Sequence, residues 1–466
     1  MKRTLSILVL IFTVQAVFAQ SGNLDNNTLN IIRSNYSQKA ENDIAIRNAL
    51  TNNDIRNLAL NRDVVGKETH DFKYKVKVKG ITDQKSSGRC WMFTGLNILR
   101  PQLIDEKKLS NFEFSTNYLY FYDMLEKSNL FLEGVLKYHD KEMDDRTVDW
   151  FFKDPITDGG VWNSFANLVN KYGLVPKTVM PETYHSENTR WLNTILKSKL
   201  REFGLELREI RRQGITGKKL QSAKMEMISE IYRILVLFLG EPPTEFTYRF
   251  VDKDNNISEA KTYTPQEFFK EIFPNYNTED YYMFMNDPTR EYYKVYEIDF
   301  DRNVLEGKNW IYLNLPSDEI KTFALNSIKN NEALYTSCDV GKQLHSAEGT
   351  LDVNNYNFEA LLGTKFKMNK AARIITYDSG SAHAMLLMAC DTDKDDKPIK
   401  WQFENSWGSS HGHNGYLTFT DEWFDEYMFR VVVNKKFIDD KTLKLFDQKP
   451  ILLPPFLMNL KHQSHP

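Results

Sequence analysis

Along the chain, apolar and polar positions change period, from helical spacing in the first half to strand-like segments in the last third. Residues 72–82, FKYKVKVKGIT, alternate apolar and basic side chains and predict a strand. From Cys90 the period lengthens: Trp91, Met92 and Phe93 are followed by Leu96 and Leu99, which predicts a helix over 90–99. Residues 116–138 keep helical spacing and are rich in aromatics. In the segment that begins at Arg190, Ile228, Ile231, Leu235 and Phe238 recur at helical spacing, and Pro242-Pro243 closes it. The last third reads as strands: Trp310–Leu313, Ala384–Ala389, Lys400–Phe403, Tyr416–Phe419 and Phe429–Val433, several separated by Gly and Asn turns. Helices early and antiparallel strands late predict an α+β protein, and no internal repeat is visible.

The N-terminus carries a different pattern. Lys2 and Arg3 precede an apolar run, Leu5–Val14, and then Ala16-Val17-Phe18-Ala19. A basic start, a short apolar core and small residues predict a signal peptide over 1–19, cut after Ala19. The alternative is an uncleaved anchor, but the run falls short of the roughly 20 residues that span a bilayer. No Cys follows the cut, so a lipoprotein anchor is not expected. The expectation is an exported protein, periplasmic or secreted, with no membrane contact after cleavage. Residues 20–65 are polar and Asn-rich and read as an N-terminal arm with one or two short helices. Residues 66–466 form the main domain.

Composition narrows the function classes. The 466 residues suffice for two or three ordinary domains, or for one with a large insertion. With 41% hydrophobic and 13% aromatic residues the chain is not of disordered composition. A net charge of -3 makes no global case for nucleic acid or an anionic membrane. Locally, eleven basic and five acidic side chains lie between Arg190 and Arg233. Their plain reading is a solvated helix face; the sharper one is a nucleic-acid surface that includes Arg208, Arg211 and Arg212. Nucleic acid is not the expected partner. There are three cysteines, Cys90, Cys338 and Cys390, too few for a disulfide framework and odd in number. An exported protein with a thiol outside any intramolecular disulfide has a use for it, whereas Cys338 and Cys390 read as core residues.

Three segments supply that use: Gln84–Trp91, Ser381–Met385 and Glu404–Gly408. A thiol attacks as thiolate, which a helix N-terminus and a histidine partner favour. Cys90 follows a Ser-Ser-Gly turn and opens a helical pattern, so its sulfur faces the positive helix end. His383 is the candidate base, Asn405 the amide that orients it, and Trp407 a shield for their bond. Gln84 and the Cys90 backbone N–H are the candidate oxyanion donors. Each piece alone has a bland reading: a structural cysteine, a core histidine, a turn. In the order Gln, Cys, His, Asn they point to nucleophilic catalysis. No cofactor is expected. His411 and His413 lack a further ligand at metal-binding spacing, so no metal is expected either.

These blocks resemble the active-site segments of papain-like cysteine peptidases, and the wording is closest to the bleomycin hydrolase and bacterial aminopeptidase C family. The similarity is carried by Asn61–Val65, QKSSGRCW at 84–91, FEFSTNYLYFYDMLEK at 112–127 and DGGVW at 158–162. It continues through NLVNKYGLVPK at 167–177, CDVGK at 338–342 and the run 404–436. His383 follows Cys90 by about 290 residues, roughly 150 more than papain-like spacing. The resemblance implies a papain-like fold, with a helical left part and an antiparallel β half barrel. A large helical insertion is implied at about 190–300. It further implies peptide substrates, a homo-oligomer (a hexamer), and backbone hydrogen bonds from Gly159 and Gly160 to an extended substrate. In the resembled family a C-terminal tail, here about 449–466, lies in the cleft, and its carboxylate anchors the substrate amine. That implies an aminopeptidase acting on short peptides. In this chain a polar extension, Asn459–Pro466, follows the apolar part of the tail. An endopeptidase, or a catalytically silent binding protein of the same fold, therefore stand as alternatives.

Overall fold

The computed structural model describes residues 22–457 apart from Lys39. The signal segment expected at 1–19 and the tail past Leu457 lie outside the described residues. The described residues divide into two compact units, those up to Ala59 with 360–363, and the remainder. The first unit holds three helices, Asn26–Ser37, Ala40–Asn52 and Ile55–Ala59. The first of these starts where the Asp25 carboxylate accepts the Thr28 N–H at 2.8 Å, an N-cap.

The second unit is built on one long mixed sheet. From one edge, its strands run Ile451–Leu453, Val295–Ile298, Trp310–Asn314, Tyr281–Met285 and Met428–Asn434. They continue with Leu334–Cys338, His383–Thr392, Pro398–Glu404, Tyr416–Thr420, Thr350–Leu351 and Leu344–His345. From Tyr281–Met285 to Tyr416–Thr420 the neighbours are antiparallel. The five strands expected in the last third are all present. His383–Thr392 is the longest, and all of it but Asp391 is buried, which explains its near-continuous apolar run.

The alternating segment 72–82 yields only a two-residue strand, Tyr74–Lys75, paired with Cys390 and Ala389. The reason is occupancy. Leu334–Cys338 already pairs with residues 383–387 of the same partner strand. The Val76 N–H still reaches the Met388 carbonyl at 2.8 Å; the next donor, Lys77 N–H, turns to the Asn331 side chain.

On the helical side, Cys90–Glu106 and Thr116–Lys137 are largely buried, as helices apolar on most faces are. Arg190–Arg212 and Gly217–Leu239 pack on Thr116–Lys137. The first of these buries Leu192, Leu196, Leu200, Phe203 and Leu207, one stripe at helical spacing. Each such side chain contributes about 1.5–3 kcal/mol. A small hairpin, Phe246–Tyr248 with Lys261–Tyr263, and the helix Pro265–Ile272 follow; from Tyr281 the chain re-enters the main sheet.

The basic run departs from a purely solvated face. Arg208 is buried and donates to the Tyr138 carbonyl at 3.1 Å, just past the C-terminal end of Thr116–Lys137. Arg201 donates to the Phe152 and Lys153 carbonyls at 2.8 and 2.7 Å, at the end of the helix Arg146–Lys153. Terminal helix carbonyls lack intrahelical donors and sit at the negative end of the dipole, so guanidinium groups suit them. Arg211 is turned to the Ile215 carbonyl and His139, while Arg212 is an exposed partner of Glu209. Among the described residues no helix is long and apolar enough to cross a membrane.

Candidate active site

Cys90 is the first residue of the helix Cys90–Glu106. The turn before it is fixed by its own backbone: the Arg89 carbonyl accepts the Met92 and Phe93 N–H groups at 2.9 and 3.1 Å. The positive end of the helix dipole lies at this first turn. That field favours a thiolate at Cys90. The Cys90 Sγ accepts the Ala384 N–H at 3.5 Å, from the residue next to His383.

His383 is the first residue of its strand, and its Nε2 lies 2.8 Å from Asn405 Oδ1. Asn405 follows directly on Pro398–Glu404. Its Oδ1 also accepts the Ser406 N–H at 2.8 Å, which identifies that atom as the oxygen. His383 Nε2 is therefore the protonated nitrogen, leaving the ring's free lone pair on Nδ1. Trp407 stacks on the imidazole with centroids 4.8 Å apart and covers the bond. The next residue, Gly408, has φ +79°, and a Cβ there would come within 2.9 Å of the Asp83 carboxylate. Burial pushes the His383 imidazole down to about 4, against the opposing effect of the Asn405 hydrogen bond. Burial thus disfavours the imidazolium, and a thiolate beside the ring would favour it.

Gln84 is buried beside Ser406, the residue after Asn405. Its Nε2 donates to the Ser87 carbonyl at 2.6 Å, and its Oε1 accepts the Ser406 hydroxyl at 2.7 Å. One of the two amide N–H bonds is thus committed to holding the turn before Cys90, and a primary amide has a second. Cys338 and Cys390 are buried in the sheet, and burial pushes both thiols up.

Gly159 and Gly160 line the same cleft as Cys90 and His383. A Cβ on Gly160 would stand 2.6 Å from the Trp91 ring, so this position accepts only glycine without a shift. Two charged residues that the sequence did not single out hold this loop. The Asp158 carboxylate accepts the Gly88 N–H at 2.7 Å and the Thr189 hydroxyl at 2.5 Å, and the Asp158 carbonyl accepts Trp91 Nε1–H at 2.8 Å. Lys127, paired with buried Asp123 at 2.6 Å, donates to the Thr157 and Gly159 carbonyls at 2.9 and 2.6 Å. Asp158 opens the stretch 158–162 and Lys127 ends the stretch 112–127, both part of the family resemblance, but nothing in either stretch gave these residues a role.

The cleft has a volume of about 790 Å³. Phe131, Trp150, Phe151 and Phe300 line it, and so do Pro455 and Phe456 from the last described turn. The strand Ile451–Leu453 runs parallel to Val295–Ile298 and leads the chain there. The Arg146 guanidinium sits 4.0 Å from the Phe456 ring centroid. The arrangement is chemically suited to nucleophilic attack by a thiol on an extended acyl substrate.

The model of the Peptidase C1-like family matches residues 23–457. Bleomycin hydrolase of Rattus norvegicus is 39% identical over 88% of this chain and 93% of its own length. Aminopeptidase C of Lactobacillus delbrueckii subsp. lactis is 39% identical over 83% of this chain and 86% of its own. The crystal structure of PepW from Lactobacillus rhamnosis HN001 superposes with a TM-score of 0.89 at 36% identity, covering 93% of this chain and 98% of that one.

Proposed function

The chain belongs to the Peptidase C1-like family, and on that premise we propose that it is an exported aminopeptidase whose nucleophile is Cys90, with His383 as base and Asn405 as its orienting amide. Its fold is papain-like, and it is a cysteine peptidase of the bleomycin hydrolase and aminopeptidase C kind. The observation that carries the finer reading is the 2.8 Å bond from His383 to Asn405 beside a thiol that accepts the neighbouring Ala384 N–H.

In this reading the Cys90 thiol passes its proton to His383 Nδ1, and the thiolate attacks the carbonyl carbon of the first peptide bond. The oxyanion of the tetrahedral intermediate is held by the Cys90 backbone N–H and the second amide N–H of Gln84. The imidazolium returns the proton to the departing amine as the C–N bond breaks, leaving a thioester on Cys90. Water, deprotonated by His383, then displaces the sulfur. Gly159 and Gly160 offer main-chain groups to the substrate backbone. The wall formed by Pro455 and Phe456 favours short substrates. Export rests on the Lys2-Arg3 and Leu5–Val14 pattern, and a hexamer on the resemblance; amino-terminal sequencing of mature protein that starts at Gln20 would support the first, and light scattering tests the second.

The decisive experiment compares aminoacyl coumarylamides with free and with acetylated amino groups. Turnover of the free series only, abolished in purified Cys90→Ala protein, is expected. Turnover that survives Cys90→Ala overturns the nucleophile assignment, and equal cleavage of acetylated substrates overturns the aminopeptidase reading.

A further inference from the structure

On the helix Thr116–Lys137, Asp123 and Lys127 stand four residues apart, so their side chains meet on one face. Asp123 is fully enclosed, and the Lys127 ammonium pairs with its Oδ2 at 2.6 Å. A carboxylate in that place needs a paired charge. The same ammonium donates to the Thr157 and Gly159 carbonyls at 2.9 and 2.6 Å. An ammonium has three N–H donors, and these three acceptors take all of them. Lys127 lines the cleft, but its donors are spent on the protein. Its effect on a substrate passes through what it holds.

What it holds is a peptide plane. The Gly159 carbonyl and the Gly160 N–H belong to one planar unit and point in opposite directions. Between two glycines that plane turns freely, since neither has a Cβ to limit it. Fixing the carbonyl on Lys127 therefore fixes the direction of the Gly160 N–H. A bond from a charged donor also polarises the unit and strengthens its N–H. The Gly159 N–H is turned to Thr157 Oγ1 at 3.3 Å, so the donor that the pair offers is that of Gly160. Both glycines are half-buried and line the cleft with Cys90 and His383. Asp123 extends the hold to a second part of the lining. Its Oδ1 accepts Asn303 Nδ2–H at 2.9 Å, and Asn303 directly follows Phe300, Asp301 and Arg302 of the cleft. Asn303 is itself tied to the Ser164 carbonyl at 3.0 Å. One buried carboxylate thus sets the glycine loop, through Lys127, against the turn at 300–303.

We propose that Lys127, held by Asp123, is a positioning residue that aims the Gly160 N–H at a main-chain carbonyl of the bound peptide. The proposal rests on the peptidase reading of the cleft and deepens it. A donor of this kind recognises backbone, not side chains, so it serves peptides of any sequence. Loss of the ammonium costs substrate affinity and leaves the chemistry of the thiol as it was, because Cys90, His383 and Asn405 lie on other elements.

The test uses the full-length protein with Asp123→Asn/Lys127→Met, which leaves no unpaired buried charge, and with Lys127→Gln. Two readouts are compared: kcat and KM on alanyl and dialanyl coumarylamides with free amino termini, and the rate of Cys90 alkylation by iodoacetamide as a function of pH. KM should rise about tenfold in both variants with kcat within about threefold, while alkylation keeps its wild-type rate and pH profile. An unchanged KM overturns the proposal. So does an alkylation rate that falls along with turnover, since the residue would then only support the fold. A third readout needs neither variant: in Cys90→Ala protein, saturating tetra-alanine should slow hydrogen exchange in the segment 158–162. No slowing there overturns the proposal even where the Lys127 variants do not fold. Wild-type protein that turns over none of these substrates overturns the aminopeptidase reading, and the proposal with it.

Discussion

Acid should weaken the Cys90→Ala protein through His383, by an amount that the structure sets. Without the thiol, the imidazole titrates against its burial and its bond to Asn405. Its folded-state value is about 4, against 6.5 for an exposed ring. Below pH 6.5 the unfolded chain binds a proton that the folded chain refuses, so stability is full above pH 6.5 and falls as the pH drops towards 4. A separation of about 2.5 units at about 1.4 kcal/mol each corresponds to roughly 3 kcal/mol lost across that window. The assay is urea unfolding at intervals from pH 7 to 4, on Cys90→Ala and on Cys90→Ala/His383→Gln. Other groups titrate in the same range, among them Glu404, which burial raises to about 7 against the opposing effect of Arg100, and Asp301. They contribute alike to both proteins, so the difference in slope isolates His383. The double variant should lose about 3 kcal/mol less over the window. Curves parallel to within about 1 kcal/mol would refute the burial argument, whatever the absolute stabilities.

Two further outcomes follow from single contacts. Asn405→Ala removes the acceptor for both His383 Nε2–H and the Ser406 N–H; at about 1–3 kcal/mol for such buried bonds, kcat should fall about 10- to 100-fold with KM little changed, and a loss under threefold would show that the ring is oriented by other means. Asp158→Ala leaves the Gly88 N–H and the Thr189 hydroxyl without their carboxylate and should cost about 3 kcal/mol in urea unfolding, whereas Asp158→Asn keeps one acceptor oxygen and should cost less; equal losses would refute this, showing that an amide oxygen does not replace the carboxylate.

Much of the papain-like fold was legible in the chain, because the strands of the last third are buried on both faces and announce themselves as short apolar runs between turns. The alternating segment at 72–82 was misleading for a specific reason: alternation states that one face is covered, not that a partner strand has a free edge. Only Tyr74–Lys75 found such an edge. Arg208 was read with its neighbours as solvated, but the carbonyl it caps belongs to Tyr138, 70 residues earlier, and no local pattern reports that. The structure gathers Cys90, His383, Asn405, Trp407, Gly159 and Gly160 around one cleft and its immediate wall, and sets Gln84 behind the turn. Their residue types already implied chemistry, so they could be singled out. Asp158, Lys127 and Asp123 lie in stretches that carry the resemblance and Asn303 does not, but none could be given a role, since a polar residue acquires meaning only from what folds against it. In Asp158 that partner is a main-chain N–H at Gly88.

The long separation of Cys90 from His383 also has a consequence in time. A ribosome adds about 5–20 residues per second, so the sulfur precedes its base by roughly 15–60 s. Throughout that interval the strand that carries His383 and the Ala384 N–H does not exist, and Asn405 has not been made. The thiol waits without the ring that would take its proton. Under the proposed mechanism a growing chain therefore cannot cut its neighbours or itself, and competence arrives only when the sheet closes over the helix. The distance in sequence works as a clock on the nascent protein.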